Sequence, residues 1–469
     1  MNEEHVVALD PAKFDGLLSA QHAREFADAL STARRKLAGR TWWHINSTAQ
    51  GGGVAEMLQS VLCYPSGAGI DTRWLVIDAN DGFFDVTKRI HKLLHGEPDS
   101  ADGFQPLGDE ERAVYERPLA PEAAAICRVV RPGDPVILHD PQTLGLAPAL
   151  AAAGANVVWT CHVGSDEPND CTRDVWDFLS PYVASTSAQV FSRPQYVWEG
   201  LDRSRTAVIP PCLDAFSPKN QPLDADVVDA ILATAGIVEK VGIGARPCFV
   251  RQDGTEALVT HRAGMVDDTP IPPDARLVCQ VSRWDPLKDH AGVMRAFTEK
   301  VPAKLGAHLL LAGPNAAAVT DDTEGDRIFE ELREQWRALP AATRNRVHLC
   351  SLPMDDIDEN AAIVNAIQCR SDVVVQKSVA EGFGLTVAEA MWKGRPIVGA
   401  RVGGIQDQIE DGKSGLLVEP DDDAGFAAAI CRLLQDRETA EAIGDTARER
   451  VRVEYLAPRF LTRYLELIA

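Results

Sequence analysis

The chain has 469 residues, 45% hydrophobic and 25% charged, a globular composition with enough length for two or three domains. Its 69 Asp and Glu outnumber its 47 Lys and Arg, giving a formal net charge of −22 that is spread along the sequence. This balance argues against nucleic acid or an anionic membrane as a partner, and it requires a local cationic pocket for any anionic substrate.

The opening "MNEEHVVALD" is acidic and lacks the apolar core of a signal peptide. No run reaches the ~18 apolar residues of a membrane span. A cytoplasmic protein without integral membrane association is therefore expected. Short apolar runs follow: "TWWHIN" (41–46), "RWLVID" (73–78), "PVILHD" (135–140), "NVVWTCH" (156–162), "YVASTS" (182–187) and "TAVIPP" (206–211). They read as buried parallel strands, with amphipathic segments such as "GVAEMLQSVLCY" and "PEAAAICRVV" as crossover helices. The rhythm breaks over 216–275, where a short helical run precedes Gly-, Pro- and charge-rich sequence. That stretch reads as a domain connection with an insert near 236–275, including a hairpin around "PCFVRQDGTEALVTHR".

A second series of strands follows: "RLVCQVSRWD", "AHLLLAGP", "RVHLCSL", "DVVVQKS", "PIVGAR" and "SGLLVEP". Four helical patterns lie between them and a fifth follows the last, and residues 440–469 are helical apart from Pro458. The fold class expected is α/β, two Rossmann-like doubly wound domains. Residues 1–212 form the first and 213–454 the second, with the C-terminal helix 455–469 packing back on the first. Doubly wound sheets bind ligands at the carboxyl ends of their strands, so motifs there matter most. None of the ten cysteines lies in a C-x-x-C pair or at zinc-like spacing with histidine. Buried free thiols of a reducing compartment are expected, and no metal site.

Four strand ends carry candidate chemistry. In "HINSTAQGGGVAE" the strand stops near Asn46, and the glycines up to Gly52 and Gly53 let backbone approach a ligand at a helix start. The motif is neither G-x-G-x-x-G nor a P-loop, and a ligand-free tight turn is an equal reading. In "SRWDPLKDH", Arg283 and Lys288 suit a diphosphate clamp, against a solvated loop paired to Asp285 and Asp289. In "KSVAEGFGLTVAEAMWKGRPIVG", Glu381 sits in the turn after a strand and Glu389 one turn into the helix that Gly394 closes. A fully helical span of eight residues is about 12 Å, longer than the ~5 Å of paired glycosidase carboxylates. The two acids therefore suit accepting hydrogen bonds from a hydroxyl-rich ligand, with the amides of Phe383, Gly384 and Leu385 facing an anion. Finally, "HDPQTLG" and "TCHVGSD" place His139 and His162 at strand ends, where a satisfied structural role competes with a functional one.

The E-x7-E pair with "EGFGLTVAEAMWKGRPIVG", together with Arg283 and Lys288, resembles the retaining family 4 glycosyltransferases of the GT-B fold. "WHINSTAQGGGVAEML", "DTRWLVID", "FFDVTKRIHKLLHG" and "VSRWDPLKD" look like its trehalose synthase subgroup and the related trehalose phosphorylases. The resemblance covers the chain from about residue 40 onward. It implies two domains facing a central cleft, the first for the acceptor and the second for the donor. It also implies transfer of a hexose, as glucose, from UDP-, ADP- or GDP-glucose to a sugar acceptor such as glucose, with no cofactor or metal. Arg283 and Lys288 would neutralise the diphosphate. Glu381 and His162 would contact the donor sugar, and Glu389 would hold the ribose. Gly52 and Gly53 would line the phosphate side, Leu352 and Met354 would border the base, and Asn46, Asp140 and Gln142 would lie near the acceptor. The insert departs from the subgroup; it would reshape the acceptor side or mediate self-association as a homodimer. The acid cluster in "PDDDAG" reads as a solvated turn and helix cap. The rival readings are a phosphorylase using inorganic phosphate, a nicotinamide-dependent oxidoreductase and a non-catalytic sugar-nucleotide-binding protein.

Overall fold

The computed structural model describes residues 1–49, 52–98, 104–239, 244–267, 269–315 and 323–469. The chain divides into two compact units: unit 1 is Met1–Cys212 with Tyr455–Ala469, and unit 2 is Leu213–Glu454.

Unit 1 is built on seven strands: β1 (Asn2–Glu4), β2 (Trp42–Asn46), β3 (Thr72–Val76), β4 (Pro135–His139), β5 (Asn156–Cys161), β6 (Ala188–Phe191) and β7 (Thr206–Val208). Their order is β1-β3-β2-β4-β5-β6-β7, parallel throughout except for β1, which pairs antiparallel at the edge of β3. Every residue of β2 and β4 is buried, as a sheet covered by helices on both faces demands. The core cluster packs strand residues such as Ile45, Leu138 and Trp159 against Phe83, Tyr115 and Phe178 from the helices. "YVASTS" is not a strand: Tyr182 and Val183 close the helix Asp170–Val183, and β6 begins at Ala188. The buried positions Val175, Trp176, Leu179, Tyr182 and Val183 recur every three or four residues, so helical burial captures the apolar pair. The helix Ala457–Ile468 belongs to this unit, and its buried Tyr464 hydroxyl bonds Thr160 Oγ1 at 2.8 Å. Pro458 lies in the first turn of that helix, where its missing N–H leaves no gap.

Unit 2 repeats the plan. The hairpin strands β8 (Cys248–Val250) and β9 (Glu256–Leu258) precede the sheet strands β10 (Gly264–Met265), β11 (Arg276–Val281), β12 (Ala307–Pro314), β13 (Val347–Leu352), β14 (Val373–Gln376), β15 (Ile397–Ala400) and β16 (Leu416–Val418). The sheet order is β10-β13-β12-β11-β14-β15-β16, with only β10 antiparallel. The insert lies against the helix Ile357–Arg370: Arg251 pairs with Asp356, and the Glu359 carboxylate accepts from His261 N at 2.7 Å. Residues 240–243 and 268 of the insert lie outside the described residues. All ten cysteines are free, six of them buried. Among the described residues no helix is long and apolar enough to cross a membrane.

Each sheet winds outward in both directions from one point, between β2 and β4 in unit 1 and between β11 and β14 in unit 2. Helices flanking such a point lie on opposite faces, which leaves a crevice at the carboxyl ends of the two strands.

Candidate active site

In unit 2 the chain leaves β11 through Ser282 and Arg283 and turns over a short 3-10 segment, Pro286–Lys288. Asp285 caps that segment, accepting from Leu287 N at 2.8 Å. The next residue, Asp289, holds φ +48, a left-handed conformation uncommon outside glycine, and caps the helix His290–Lys300. This sharp turn leaves Lys288 directed at the end of β14, where its Nζ meets Glu381 Oε2 at 2.7 Å. Both side chains are only 13–14% exposed. Ser378 Oγ donates to the same carboxylate oxygen at 3.2 Å.

Beside this pair lies a second one that the sequence reading missed. Lys377, 2% exposed, sets its ammonium 2.5 Å from Asp289 Oδ2 and 3.1 Å from Asp423 Oδ1. Asp423 also binds Arg295 and is therefore not the solvated turn residue expected, although Asp422 does cap the helix Asp423–Gln435. A lysine closing an apolar strand is the signal that would have found this pair: its charge needs a buried partner. Arg283 differs from Lys288. Its side chain is 59% exposed and sits 3.5 Å from Asp285, close to the solvated reading.

The turn after Glu381 is shaped by contact. Gly384 has φ +85 and caps the helix Leu385–Trp392 without a side chain, which leaves the first amides of that helix without a cap. Gln408 Nε2 holds the turn from behind through Phe383 O at 2.5 Å, and Gly404 N reaches Gly382 O at 3.2 Å. A Cβ on Gly404 would fall 2.6 Å from Phe383 Cα, so only glycine permits this approach. Glu389 does not join Glu381. It is 2% exposed, with Lys219 Nζ at 3.8 Å and Gln368 Nε2 at 3.4 Å. Leu352 ends β13 and is buried; Asn360 Nδ2 reaches the Met354 sulfur at 3.4 Å.

In unit 1 the strand ends carry a row of imidazoles. His44 Nδ1 lies 3.0 Å from His139 Nε2, His139 Nδ1 lies 3.4 Å from His162 Nε2, and His162 Nδ1 lies 3.4 Å from Ser192 Oγ. The row crosses β2, β4, β5 and the end of β6, and the His139 and His162 rings stack 5.7 Å apart at 4°. Burial pushes His44 down to about 3 and His139 and His162 below the usual histidine range, so the row is neutral. Each neutral ring donates from one nitrogen and accepts at the other, so one tautomer fixes the next. His44 Nε2 has no hydrogen-bond partner among the described residues, and leaving an acceptor unpaired is more common in folded proteins than leaving a donor unpaired. The tautomer set consistent with this puts protons on His44 Nδ1, His139 Nδ1 and His162 Nδ1, with His162 Nε2 accepting from His139.

Asp140 has φ +60 and takes His162 N at 2.8 Å on its carboxylate, while its carbonyl accepts Trp159 Nε1 at 3.0 Å. Burial raises its carboxyl above the usual range. Gln142 is half-buried, with Oε1 unpaired among the described residues. Asn46 is occupied within the unit by Trp74 Nε1 at 2.8 Å and Thr48 O at 2.6 Å. Gly52 caps the helix Gly53–Val61 with φ −149, a conformation open to any residue, and a Cβ there would meet nothing within 4 Å. Among the described residues, nothing fills the space beside this helix start. Gln50 and Gly51 lie outside the described residues.

Comparison with known proteins agrees with this layout. A trehalose synthase N-terminal domain family matches residues 44–198, and a glycosyl transferases group 1 family matches residues 264–450. A trehalose synthase of Pyrococcus horikoshii is 33% identical over 437 residues, covering 92% of this chain and 90% of its own. A trehalose synthase of Rubrobacter xylanophilus is 34% identical over 455 residues, covering 95% and 94%. The crystal structure of Anabaena HepE in complex with UDP-glucose has the same fold, with a TM-score of 0.60 at 18% identity over 91% of this chain and 98% of that one.

Proposed function

We propose that this chain, which belongs to the trehalose synthase family of glycosyl transferases, moves glucose from a nucleoside diphosphate donor to a sugar acceptor with retention at the anomeric carbon. Membership itself makes it a hexosyltransferase; the donor, the acceptor and the residue roles are the proposal. The observation that carries it is the Lys288–Glu381 pair beside an uncapped helix start at the switch point of unit 2.

Unit 2 would serve the donor. An incoming diphosphate competes with Glu381 for Lys288 and finds Arg283 and the amides of Gly384 and Leu385 nearby in sequence. Lys288 then stabilises the charge that grows as the nucleoside diphosphate departs. The released Glu381 carboxylate accepts hydrogen bonds from sugar hydroxyls. Glu389, moved from Lys219, would take the ribose, and Leu352 and Met354 would border the base.

Unit 1 would serve the sugars. His162, with its tautomer set by His139 and His44, would contact the donor sugar, and Asp140 and Gln142 would contact the acceptor. Gly52, where a Cβ would meet nothing, and Gly53 would line the phosphate side. The leaving phosphate is the proton acceptor for the attacking hydroxyl, which accounts for the lack of an assigned protein base. The UDP-glucose held by Anabaena HepE supports a sugar-nucleotide donor, and the names of the two curated relatives support trehalose as product.

The test is to incubate the protein with UDP-, ADP- or GDP-glucose and free glucose, and to read the anomeric configuration of the product by NMR. An α,α-linked disaccharide with release of nucleoside diphosphate is expected. Product formed only in the reverse assay with inorganic phosphate and trehalose would replace this reading with phosphorolysis.

A further inference from the structure

A cavity of about 510 Å³ opens in unit 1 at the edge of the sheet opposite the histidine row. Its walls come from segments that enter strands: the end of the helix Ala20–Lys36 and the loop before β2, the turn before β3, and the loop before β4. The strand-end candidates of this unit lie at the other ends of β2, β4 and β5. A five-residue strand at about 3.3 Å per residue separates the two edges by ~16 Å.

Five arginines line the cavity, Arg34, Arg40, Arg73, Arg128 and Arg131, against one carboxylate, Asp71. Arg73 is already engaged: it pairs with Asp71 at 3.2 Å and Glu3 at 3.6 Å and lies over the Trp43 ring. The side chains of the other four make no hydrogen bond or ion pair among the described residues. In a chain with 69 acidic residues, four guanidiniums around one cavity without an ion-pair partner among the described residues are not explained by random surface pairing.

A buried carboxylate holds the walls behind them together. Asp134, 1% exposed, accepts Thr41 N at 3.1 Å, Trp43 Nε1 at 3.1 Å and Arg131 N at 2.9 Å, tying the loops before β2 and β4 together. Arg34 and Arg40 lie beside two turns whose positive φ favours glycine. A Cβ on Gly69 (φ +80) would sit 3.7 Å from Arg34 Nε, and one on Gly133 (φ +84) would sit 3.5 Å from Arg40 Cζ.

We propose that this cavity is a second ligand site, for a small phosphate-bearing metabolite with at least two negative charges. Guanidinium forks match phosphate oxygens in pairs, and several exposed forks around one open cavity favour a multiply charged phosphate over a carboxylate or a neutral sugar. The volume lies in the range of small-molecule pockets and admits a sugar phosphate or a nucleoside diphosphate. The site is separate from the transfer chemistry and does not depend on the proposed donor or acceptor.

Isothermal titration tests it with full-length Lys288→Ala protein, so that binding at the proposed donor clamp is suppressed. Pyrophosphate, glucose 6-phosphate and UDP are titrated at constant ionic strength, with sulfate and glucose as controls. Saturable binding of at least one phosphate, with Kd below about 1 mM, is expected. Adding Arg40→Ser and Arg131→Ser should weaken that binding by about tenfold or more. A parallel Arg34→Ser, Arg128→Ser protein should do the same, with circular dichroism and melting temperature confirming the fold of each. Glucose 6-phosphate binding tightest would identify a sugar phosphate site, and UDP binding tightest a nucleotide site. Equal binding of sulfate, no saturation by any phosphate, or unchanged affinity in both folded arginine variants would overturn the proposal.

Discussion

The two switch points use opposite electrostatics on the same topology. In unit 2 the crevice residues are charged and paired, Lys288 with Glu381 and Lys377 with Asp289 and Asp423. In unit 1 the corresponding strand ends carry a neutral row, His44, His139, His162 and Ser192, in which direction is fixed by tautomer. Under the proposed function, the charge of unit 2 would balance a leaving diphosphate, and the neutral donors and acceptors of unit 1 would orient uncharged hydroxyls. A single sheet plan thus carries two electrostatic settings, because the sheet fixes only where strands end.

The sharpest way to break this comparison is to remove the charge in unit 2. Lys288→Ala should lower kcat/KM for transfer by about 10²-fold or more. Near-normal turnover would show that the pair with Glu381 is structural. Next comes the neutral row: His139→Phe keeps the bulk but cuts the tautomer relay, and it should lower kcat by about tenfold, the scale of a lost orienting partner. His139→Asn, which keeps one donor and one acceptor, should recover part of the rate; equal losses in both variants would point to packing alone. Gly404→Ala should destabilise unit 2 by about 1–3 kcal/mol by urea unfolding, because its Cβ would overlap Phe383. An unchanged midpoint would mean that the 381–384 turn yields easily.

The smallest effect separates the two regions by pH. His44, in the neutral row, and His290, beneath the unit 2 turn, are both pushed by burial to about 3. Histidines in the unfolded chain bind protons below about 6.5 while these stay neutral in the fold. Stability is therefore full above about pH 6.5 and falls as pH drops from there toward 3, by up to about 1.4 kcal/mol per pH unit for each histidine. His44→Phe should flatten this decline in urea titrations between pH 7.5 and 5. An unchanged slope would mean that His44 titrates freely.

Much of this was legible in the sequence, for physical reasons. Runs such as "PVILHD" and "DVVVQKS" are apolar on both faces because helices cover both faces of a parallel sheet, so strands and their ends could be placed by eye. Lys288 and Glu381 could be singled out because charge at a strand end stands out in an apolar setting. The partners of those charges could not. Lys377 finds Asp423 across 46 positions of sequence, and sequence spacing carries no sign of it. His44 sits inside "TWWHIN", and a fully buried strand has no polar face to show which way one histidine points. The five cavity arginines span positions 34 to 131, and each alone reads as an ordinary surface charge. "YVASTS" misled because β-branched and aromatic residues favour strands, while the helical repeat of buried positions around it decided otherwise.

The helix Ala457–Ile468 completes unit 1 only after the whole of unit 2 has been threaded into the chain. During synthesis the first sheet therefore emerges from the ribosome with an unfilled seam, where Thr160 and the helix Ala20–Lys36 await their last neighbour. Unit 2 is contiguous and has no such wait. Apolar surface that this helix covers in the finished unit stays open until the last residues are made, the kind of surface a chaperone shields.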